Sequence, residues 1–333
     1  MNNKLRVALI GCGVVSDNHI CAIVNSGKAS LVAVCDIDIN RAIEKKEKHG
    51  LSCNLYTSYR EMLENEALDV VHIATPHYLH TEMALAALEK DINVFLEKPM
   101  CIKEEDIEKL INAEKNSRGR VCVCFQNRFN LTTRLAKEIC DEDGGAISAF
   151  FSQFWRRNED YYAQDEWRGK LATEGGGVMV NQAIHQLDLL CFFLGKPQKV
   201  CASVANHTLK GIIEVEDSCE GMIEFADGKR ANFYATNATA IGDHTSVTVI
   251  TKNHKIEMQP PYIYLDGVLL DDTIGSIPKI GKACYGVGHE YIIDRFYTSI
   301  MTGATVPVSL EDAQYAVRLV LACYKSNDNL IDI

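Results

Sequence analysis

Over the first 125 residues, short apolar runs alternate with longer stretches whose apolar side chains recur at helical spacing. The runs at 5–10, 31–36, 69–74, 92–97 and 120–125 predict strands, and the stretches 17–26, 39–49, 79–89 and 104–117 predict helices between them. These strands lack polar alternation, as expected where helices cover both faces of a parallel sheet. The pattern predicts an α/β domain at 1–125, a doubly wound parallel sheet of the Rossmann type.

Past residue 126 the pattern changes. A helical stretch at 131–140 and a polar turn at 141–145 lead to an aromatic strand at 149–156, and a glycine-rich segment opens an apolar helix at 178–194. Strands at 199–207, 218–225, 230–236, 246–251 and 255–258 follow, with Asp227-Gly228 marking a hairpin turn, before two helices at 289–302 and 310–327. Strands in series beside a few helices predict an α+β domain at 126–333 with a largely antiparallel open sheet. A sheet with a free face invites self-association, so a homo-oligomer, dimer or tetramer, is expected.

Charge narrows the partners. The 333 residues carry 34 basic and 45 acidic side chains, a net charge of −11, which repels nucleic acid and anionic membrane surfaces. None of the 13 cysteines forms a CxxC pair, so small buried thiols in a reducing cytosol, hence a cytoplasmic protein, are expected. Lys4 and Arg6 before an apolar run resemble a weak leader, but Asp17, Asn18 and His19 follow so soon that a first strand fits better. No membrane span, repeat or low-complexity tract is read.

The chemistry begins at Gly11-Cys12-Gly13-Val14-Val15-Ser16, between a predicted strand and helix. Gly11 permits a tight turn, Gly13 lets the backbone approach a pyrophosphate, and the N–H groups at the helix start receive the anion. Val14 and Val15 belong to the same loop, and Ser16 stands small in the third glycine's place. Asp36 ends the second strand, where a carboxylate hydrogen-bonds the adenosine ribose and repels a 2′-phosphate, so NAD is expected over NADP. Arg41, a turn into the next helix, is the residue that could reverse this preference. Ala74-Thr75-Pro76-His77 with His80, and Glu97-Lys98-Pro99, end two further strands on the ligand-binding side of such sheets.

Taken in order with Gly175-Gly176-Gly177 and the following Asn181, His185 and Asp188, these motifs resemble the glucose–fructose oxidoreductase / inositol dehydrogenase / rhizopine-catabolism (Gfo/Idh/MocA) family. The resemblance covers nearly the whole chain. It implies an N-terminal Rossmann domain, a C-terminal α+β domain whose open sheet serves oligomerisation, and nicotinamide-dependent oxidation of sugars or cyclitols. It makes Lys98 the acid/base residue and His185 and Asn181 the polar groups beside substrate. Thr75, Pro76, His80, Glu97 and Lys98 join the glycine loop and Asp36 as cofactor-binding positions. Many members carry Asp where this chain has Asn181, which cannot take a proton but still hydrogen-bonds a hydroxyl. Trp167-Arg168-Gly169 and the 181–185 stretch look like the branch oxidising hexopyranosides or nucleotide sugars at C3.

Oxidising a secondary alcohol requires hydride to leave carbon while a base takes the hydroxyl proton. Lys98 does this only if burial or neighbouring positive charge brings its pKa towards neutrality. Asn181, His185 and Asp188 are spaced to share a helix face, with His185 as partner or relay, although His185 beside Leu189 also fits a core histidine. Arg156, Arg157 and Arg168 are candidates for anionic or diol groups, Arg168 foremost, and Trp155 or Trp167 for a sugar face; each equally fits packing. Gly175–Gly177 serve either close ligand approach or a plain turn. Tyr285 and His289 are candidates for closing the substrate pocket. No HxH or HxxxH spacing suggests a metal. Two other functions fit: an inositol dehydrogenase, for which several arginines would be superfluous, and a non-catalytic NAD-dependent sensor, for which Lys98 and His185 would be.

Overall fold

The computed structural model describes residues 4–240, 242–270 and 286–333. Among these, 4–129 with 286–313 form one compact unit, and 130–270 with 314–333 form a second. The expected single boundary at 125/126 therefore differs from the packing, because residues 286–313 return to the first unit.

The first unit is built on a wholly parallel sheet ordered β3-β2-β1-β4-β5-β6. Its strands are β1 (Leu5–Ile10), β2 (Ala29–Cys35), β3 (Asn54–Tyr56), β4 (Val70–Ile73), β5 (Asn93–Leu96) and β6 (Val121–Val123). Every residue of β4 and β6 is buried, the result of apolar runs covered on both faces. Strand order reverses between β1 and β4, the switch point at whose carboxyl end sheets of this kind bind ligands. The helices are α1 (Ser16–Asn25), α2 (Ile39–Lys48), α3 (Tyr59–Asn65), α4 (His80–Leu88), α5 (Glu104–Lys115) and, after the second unit's chain, α10 (Gly288–Thr302). Hydrogen bonds explain why the late segment belongs here. Arg120 donates to the carbonyls of Ser299 (2.6 Å) and Ala304 (2.5 Å), Val123 N donates to Val308 O (3.0 Å), and α10 packs on α1.

The second unit carries a nine-stranded sheet ordered β14-β13-β12-β11-β7-β10-β9-β8-β15. Its strands are β7 (Ser148–Phe154), β8 (Pro197–Ala205), β9 (Ser218–Phe225), β10 (Arg230–Thr236), β11 (His244–Ile250), β12 (Lys255–Gln259), β13 (Tyr262–Leu265), β14 (Val268–Leu269) and β15 (Ile331–Asp332). Among the described residues of this sheet, only β7 and β10 pair in parallel. Ala149, Phe151 and Gln153 of β7 point inward, whereas Phe150 between them is 46% exposed on the open face. The helices are α6 (Leu131–Glu142), the short α7 (Glu159–Ala163) and α8 (Leu171–Glu174), α9 (Ile184–Leu194) and α11 (Leu310–Ser326). A π turn, Met179–Ala183, leads into α9, which packs on β7 with every residue but Phe192 buried. The stretch Leu171–Leu194 is long and apolar enough to cross a bilayer, but 89% of its most apolar 18-residue window is buried inside the protein, as befits a core helix. Asp227 and Gly228 both take positive φ (66° and 74°) in the predicted hairpin, and Asp266-Gly267 (52° and 86°) turns a second one, β13 to β14.

All twelve described cysteines are free thiols, and ten are buried. Burial pushes the Cys122 thiol up to about 12, so it packs as a small inert hydrophobe.

Candidate functional site

In the first unit, Gly11 has φ +97°, and a Cβ there would lie 2.4 Å from the carbonyl oxygen of Ala74, so only glycine lets the β1 and β4 loops touch. At Gly13 a Cβ would meet nothing within 4 Å, leaving open backbone in front of α1. Ser16 is fully buried and donates to Gly13 O (2.5 Å), closing the loop in place of a third glycine. At the end of β2, Asp36 accepts from Cys12 N (2.8 Å) and Asp38 N (2.9 Å), one bond to each oxygen, and each oxygen has a further lone pair for a ribose hydroxyl. Val14 in the glycine loop and Ile37 directly after Asp36 are 66% and 92% exposed, apolar side chains left open to solvent. Val15 precedes α1 without a side-chain cap. Arg41 is exposed, 3.9 Å from Asp38. These features fit a dinucleotide whose adenosine ribose carries free hydroxyls.

The loops after β4 and β5 are clasped by His80. Its ring is fully buried between the carbonyls of Thr75 (2.9 Å) and Pro99 (2.7 Å), and burial lowers its pKa against those two bonds. His80 therefore sets the shape of both loops, while Thr75 and Pro76 line the first and Lys98, half-buried, the second. Glu97 is buried beneath Lys98. One of its oxygens lies 3.0 Å from His19 Nε2 and 3.5 Å from His289 Nε2, and the other accepts from Lys98 N (3.3 Å). Burial alone would raise the Glu97 pKa, but the hydrogen bonds and charge of the two histidines bring it well below the usual carboxylate range. The chain continues from His19 Nδ1 to His72 Nδ1 (2.8 Å) and from His72 Nε2 to the Tyr297 hydroxyl (2.7 Å). One set of tautomers satisfies every bond of this chain: Tyr297 donates to His72, His72 to His19, and His19 to Glu97. Spacing along the chain gave no metal site, yet in space ligand atoms of His19, Glu97 and His289 come within 4.8 Å of one another. His289 thus belongs to this buried cluster, and Tyr285 lies outside the described residues.

In the second unit, aromatic rings and guanidinium groups alternate. The Arg157 guanidinium lies 5.1 Å from the centre of Trp155 and 5.0 Å from that of Tyr161; Arg168 lies 4.7 Å from Tyr161 and 4.6 Å from Trp167. Asn158 caps α7 by accepting from Tyr161 N (3.3 Å), which fixes the middle ring. Arg168 also bonds Asp165 (3.0 Å) and the Tyr161 hydroxyl (2.7 Å), and Arg157 faces Asp243 (3.3 Å). Both are committed within the unit, whereas Arg156 is exposed.

The triple glycine is explained by packing. Gly175 (φ +86°) ends α8, a Cβ on Gly176 would lie 1.9 Å from the Tyr324 hydroxyl, and one on Gly177 1.8 Å from Glu216 O. Buried Glu216 accepts from Gly177 N (3.0 Å), Met179 N (3.0 Å) and Tyr324 (2.9 Å), so it caps the π turn, and burial pushes its pKa up to about 7 against those bonds. The π turn presents half-buried Asn181, whose Nδ2 donates to buried Glu174 (2.5 Å) and lies 3.3 Å from the Tyr161 hydroxyl. Gln182 bridges Tyr161 (3.5 Å) and Asn237 (3.3 Å), and His185 and Asp188 are buried one turn on. A π turn inside a helix is frequent at functional positions. His19, Ile37, Tyr161, Glu174 and Glu216 were not read from sequence as site residues. The available signals were an imidazole on the buried side of α1, an acid directly before three glycines, and the Glu216-Asp217 pair.

Residues 5–125 match the family described as "Oxidoreductase family, NAD-binding Rossmann fold", and residues 133–257 match the "GFO/IDH/MocA C-terminal domain". The chain is 28% identical over 351 aligned residues to D-glucoside 3-dehydrogenase of Escherichia coli K12, covering 98% of this chain and 96% of that one. It is 31% identical over 205 residues to oxidoreductase P35 of Formosa agariphila, a match spanning 60% of this chain and 64% of that relative's length. The solved WlbA dehydrogenase of Bordetella pertussis, in complex with NADH and UDP-GlcNAcA, superposes with a TM-score of 0.90 at 26% identity, covering 100% of this chain and 99% of that one. Together with the glycine loop, Asp36 and the Glu97-Lys98-Pro99 loop, these matches establish that the chain belongs to the GFO/IDH/MocA oxidoreductase family, with an NAD-binding Rossmann domain at its N-terminus.

Proposed function

We propose that this protein oxidises a secondary hydroxyl of a sugar to a ketone, at C3 of a hexopyranoside. NAD, when bound, accepts the hydride. Lys98 takes the hydroxyl proton, and Glu97 beneath it is the fixed anion that holds the loop's charge in balance. His185 and Asn181 bind the sugar's hydroxyls. The observation that carries the reading is the make-up of the second unit's polar row: an amide on a π turn beside Tyr161, and Trp167 joined to that ring through Arg168, whose charge Asp165 balances, groups suited to hydroxyls and a sugar face. Kinship over nearly the full length with a D-glucoside 3-dehydrogenase supports the position on the ring.

Two arginines that would favour a nucleotide sugar, Arg157 and Arg168, are already paired with Asp243 and Asp165. An uncharged glycoside is thereby preferred over a nucleotide sugar. The same neutrality favours inositol as a second substrate class. The open sheet face bearing Phe150 supports association of copies into a homo-oligomer.

The test is NAD reduction with methyl glucosides, nucleotide sugars and inositols, with the product ketone located by NMR. Methyl glucosides should turn over. Lys98→Met should abolish turnover and leave NAD affinity within about threefold of the parent, as loss of a proton-transfer group predicts. Tight NAD binding with no turnover of any polyol would instead mark a sensor.

A further inference from the structure

The inward face of the second unit's sheet carries polar atoms that the reaction proposed above does not use. Gln153 of β7 points inward with 0% of its surface exposed, and among the described residues neither its Oε1 nor its Nε2 has a hydrogen-bond partner. Burying an amide without partners is unfavourable at both atoms, so a donor and an acceptor belong beside it. The neighbouring side chains repeat the pattern. Gln153 lies opposite the small Ala235 of β10, and Asn237 follows two residues on along the same face. Asn237 Nδ2 is 3.2 Å from the Tyr162 hydroxyl and 3.3 Å from Gln182 Oε1, which leaves its buried Oδ1 without a partner among the described residues. The backbone N–H of Arg157 reaches Asn237 O (3.4 Å), and the buried Nε of Arg157 has no acceptor among the described residues. The Gln182 bond brings the π turn over this end of the sheet. One turn later, on α9, Gln186 has a buried Oε1 that is likewise unpartnered among the described residues.

We propose that Gln153, Asn237, Arg157 and Gln186 form a hydroxyl-binding site behind the π turn, which takes the oxygen of a neutral hydroxyl, either a retained water or a hydroxyl of the sugar. The donor and acceptor set selects this chemistry. Gln153 Nε2 and Arg157 Nε donate, while Gln153 Oε1, Asn237 Oδ1 and Gln186 Oε1 accept. An oxyanion has no proton for the three carbonyl oxygens, and an ammonium group has no lone pair for the two donors. A hydroxyl serves both. The Arg157 charge is matched by Asp243 (3.3 Å), so it does not call for an anion. A buried water makes about three hydrogen bonds, which this set supplies. The bound oxygen ties β7 to the π turn that presents Asn181. The sugar as source rests on the sugar-oxidising reading; water as source does not.

The experiment is Gln153→Met in the full-length protein, which keeps the length of the side chain and removes both polar atoms. The sign of the stability change is diagnostic. Deleting a buried amide that binds nothing raises the unfolding midpoint or leaves it unchanged. Deleting one that holds a water loses those bonds and strands Asn237 Oδ1, so the midpoint measured without sugar should fall by about 3–8 °C. If a sugar hydroxyl fills the site instead, the midpoint holds, and KM for methyl glucoside should rise about 5- to 30-fold with NAD affinity at the parent's value. A midpoint that does not fall, together with an unchanged KM, overturns the proposal. Parent crystals grown with and without methyl glucoside give the second measurement, and decide alone if the variant does not fold. An oxygen about 2.7–3.2 Å from Gln153 Nε2 and Asn237 Oδ1 in either crystal supports the site. A Gln153 amide packed against carbon in both refutes it, whatever the midpoint. If the parent turns over no sugar, the sugar-oxidising reading fails separately, and the midpoint and the sugar-free crystal decide the site.

Discussion

Glu216 offers the sharpest test of the energetics. Its folded pKa of about 7 stands above the ordinary 4.5 because burial penalises the charge more than Gly177 N, Met179 N and Tyr324 repay it. A carboxyl raised in the folded state favours folding fully below pH 4.5, and that contribution is lost as pH rises from there to about 7. The interval corresponds to about 3 kcal/mol, and for a unit of this size roughly 6–12 °C in Tm. Glu216→Gln keeps an acceptor for the same donors and cannot ionise. Thermal unfolding of parent and variant from pH 4.5 to 8 should show the parent losing this increment relative to the variant, with the gap opening between pH 5 and 7. Because all other titrating groups are shared, only the difference between the curves matters. Parallel curves across the range would refute the assignment of a protonated, burial-raised Glu216.

Three further perturbations act on the first unit. Glu97→Ala leaves His19 and His289 facing an empty site and should destabilise by about 3–5 kcal/mol in chemical denaturation. Since the Glu97 pKa is depressed, the parent's advantage should be full above pH 4.5 and fade as pH falls below it, which an acid titration of both proteins checks. Gly11→Ala drives a Cβ to 2.4 Å from Ala74 O at a φ of +97°, so calorimetry should find NAD binding lost and the melting transition lowered. Asp36→Ala should weaken NAD about 10- to 100-fold, the worth of hydrogen bonds to a charged group, and narrow the gap to NADP in parallel titrations. Unchanged NAD affinity would remove Asp36 from the ribose.

The sequence was readable where one local rule decided the outcome. β9 and β10 fall at 218–225 and 230–236 as expected, because alternation and an Asp-Gly turn agree there. β3 and α3 were missed because the strand has three residues, although Ser58, which caps α3 by accepting from Glu61 N (3.3 Å), forms a Ser-x-x-Glu signature. The hairpin at Asp266-Gly267 carried the same turn signal as the one predicted and was overlooked. The return of residues 286–313 to the first unit is a matter of long-range bonds such as Arg120 to Ala304, which periodicity does not encode. The cofactor loop was legible for the opposite reason: glycine geometry and a strand-end carboxylate are local. Glu174 and Tyr161 were invisible because their significance lies in partners brought near by α7, α8 and the π turn. Arg168, foremost among the expected substrate contacts, is held by Asp165 and two rings, partners that its sequence neighbourhood did not announce.

The alternating file of Trp155, Arg157, Tyr161, Arg168 and Trp167 bears on how tightly a small ligand can be held. A long side chain that must be immobilised on binding subtracts about 0.5–1.5 kcal/mol from affinity. In this file each guanidinium is clamped between two rings before any sugar arrives, so the surface is stiff in advance and that loss is already met during folding.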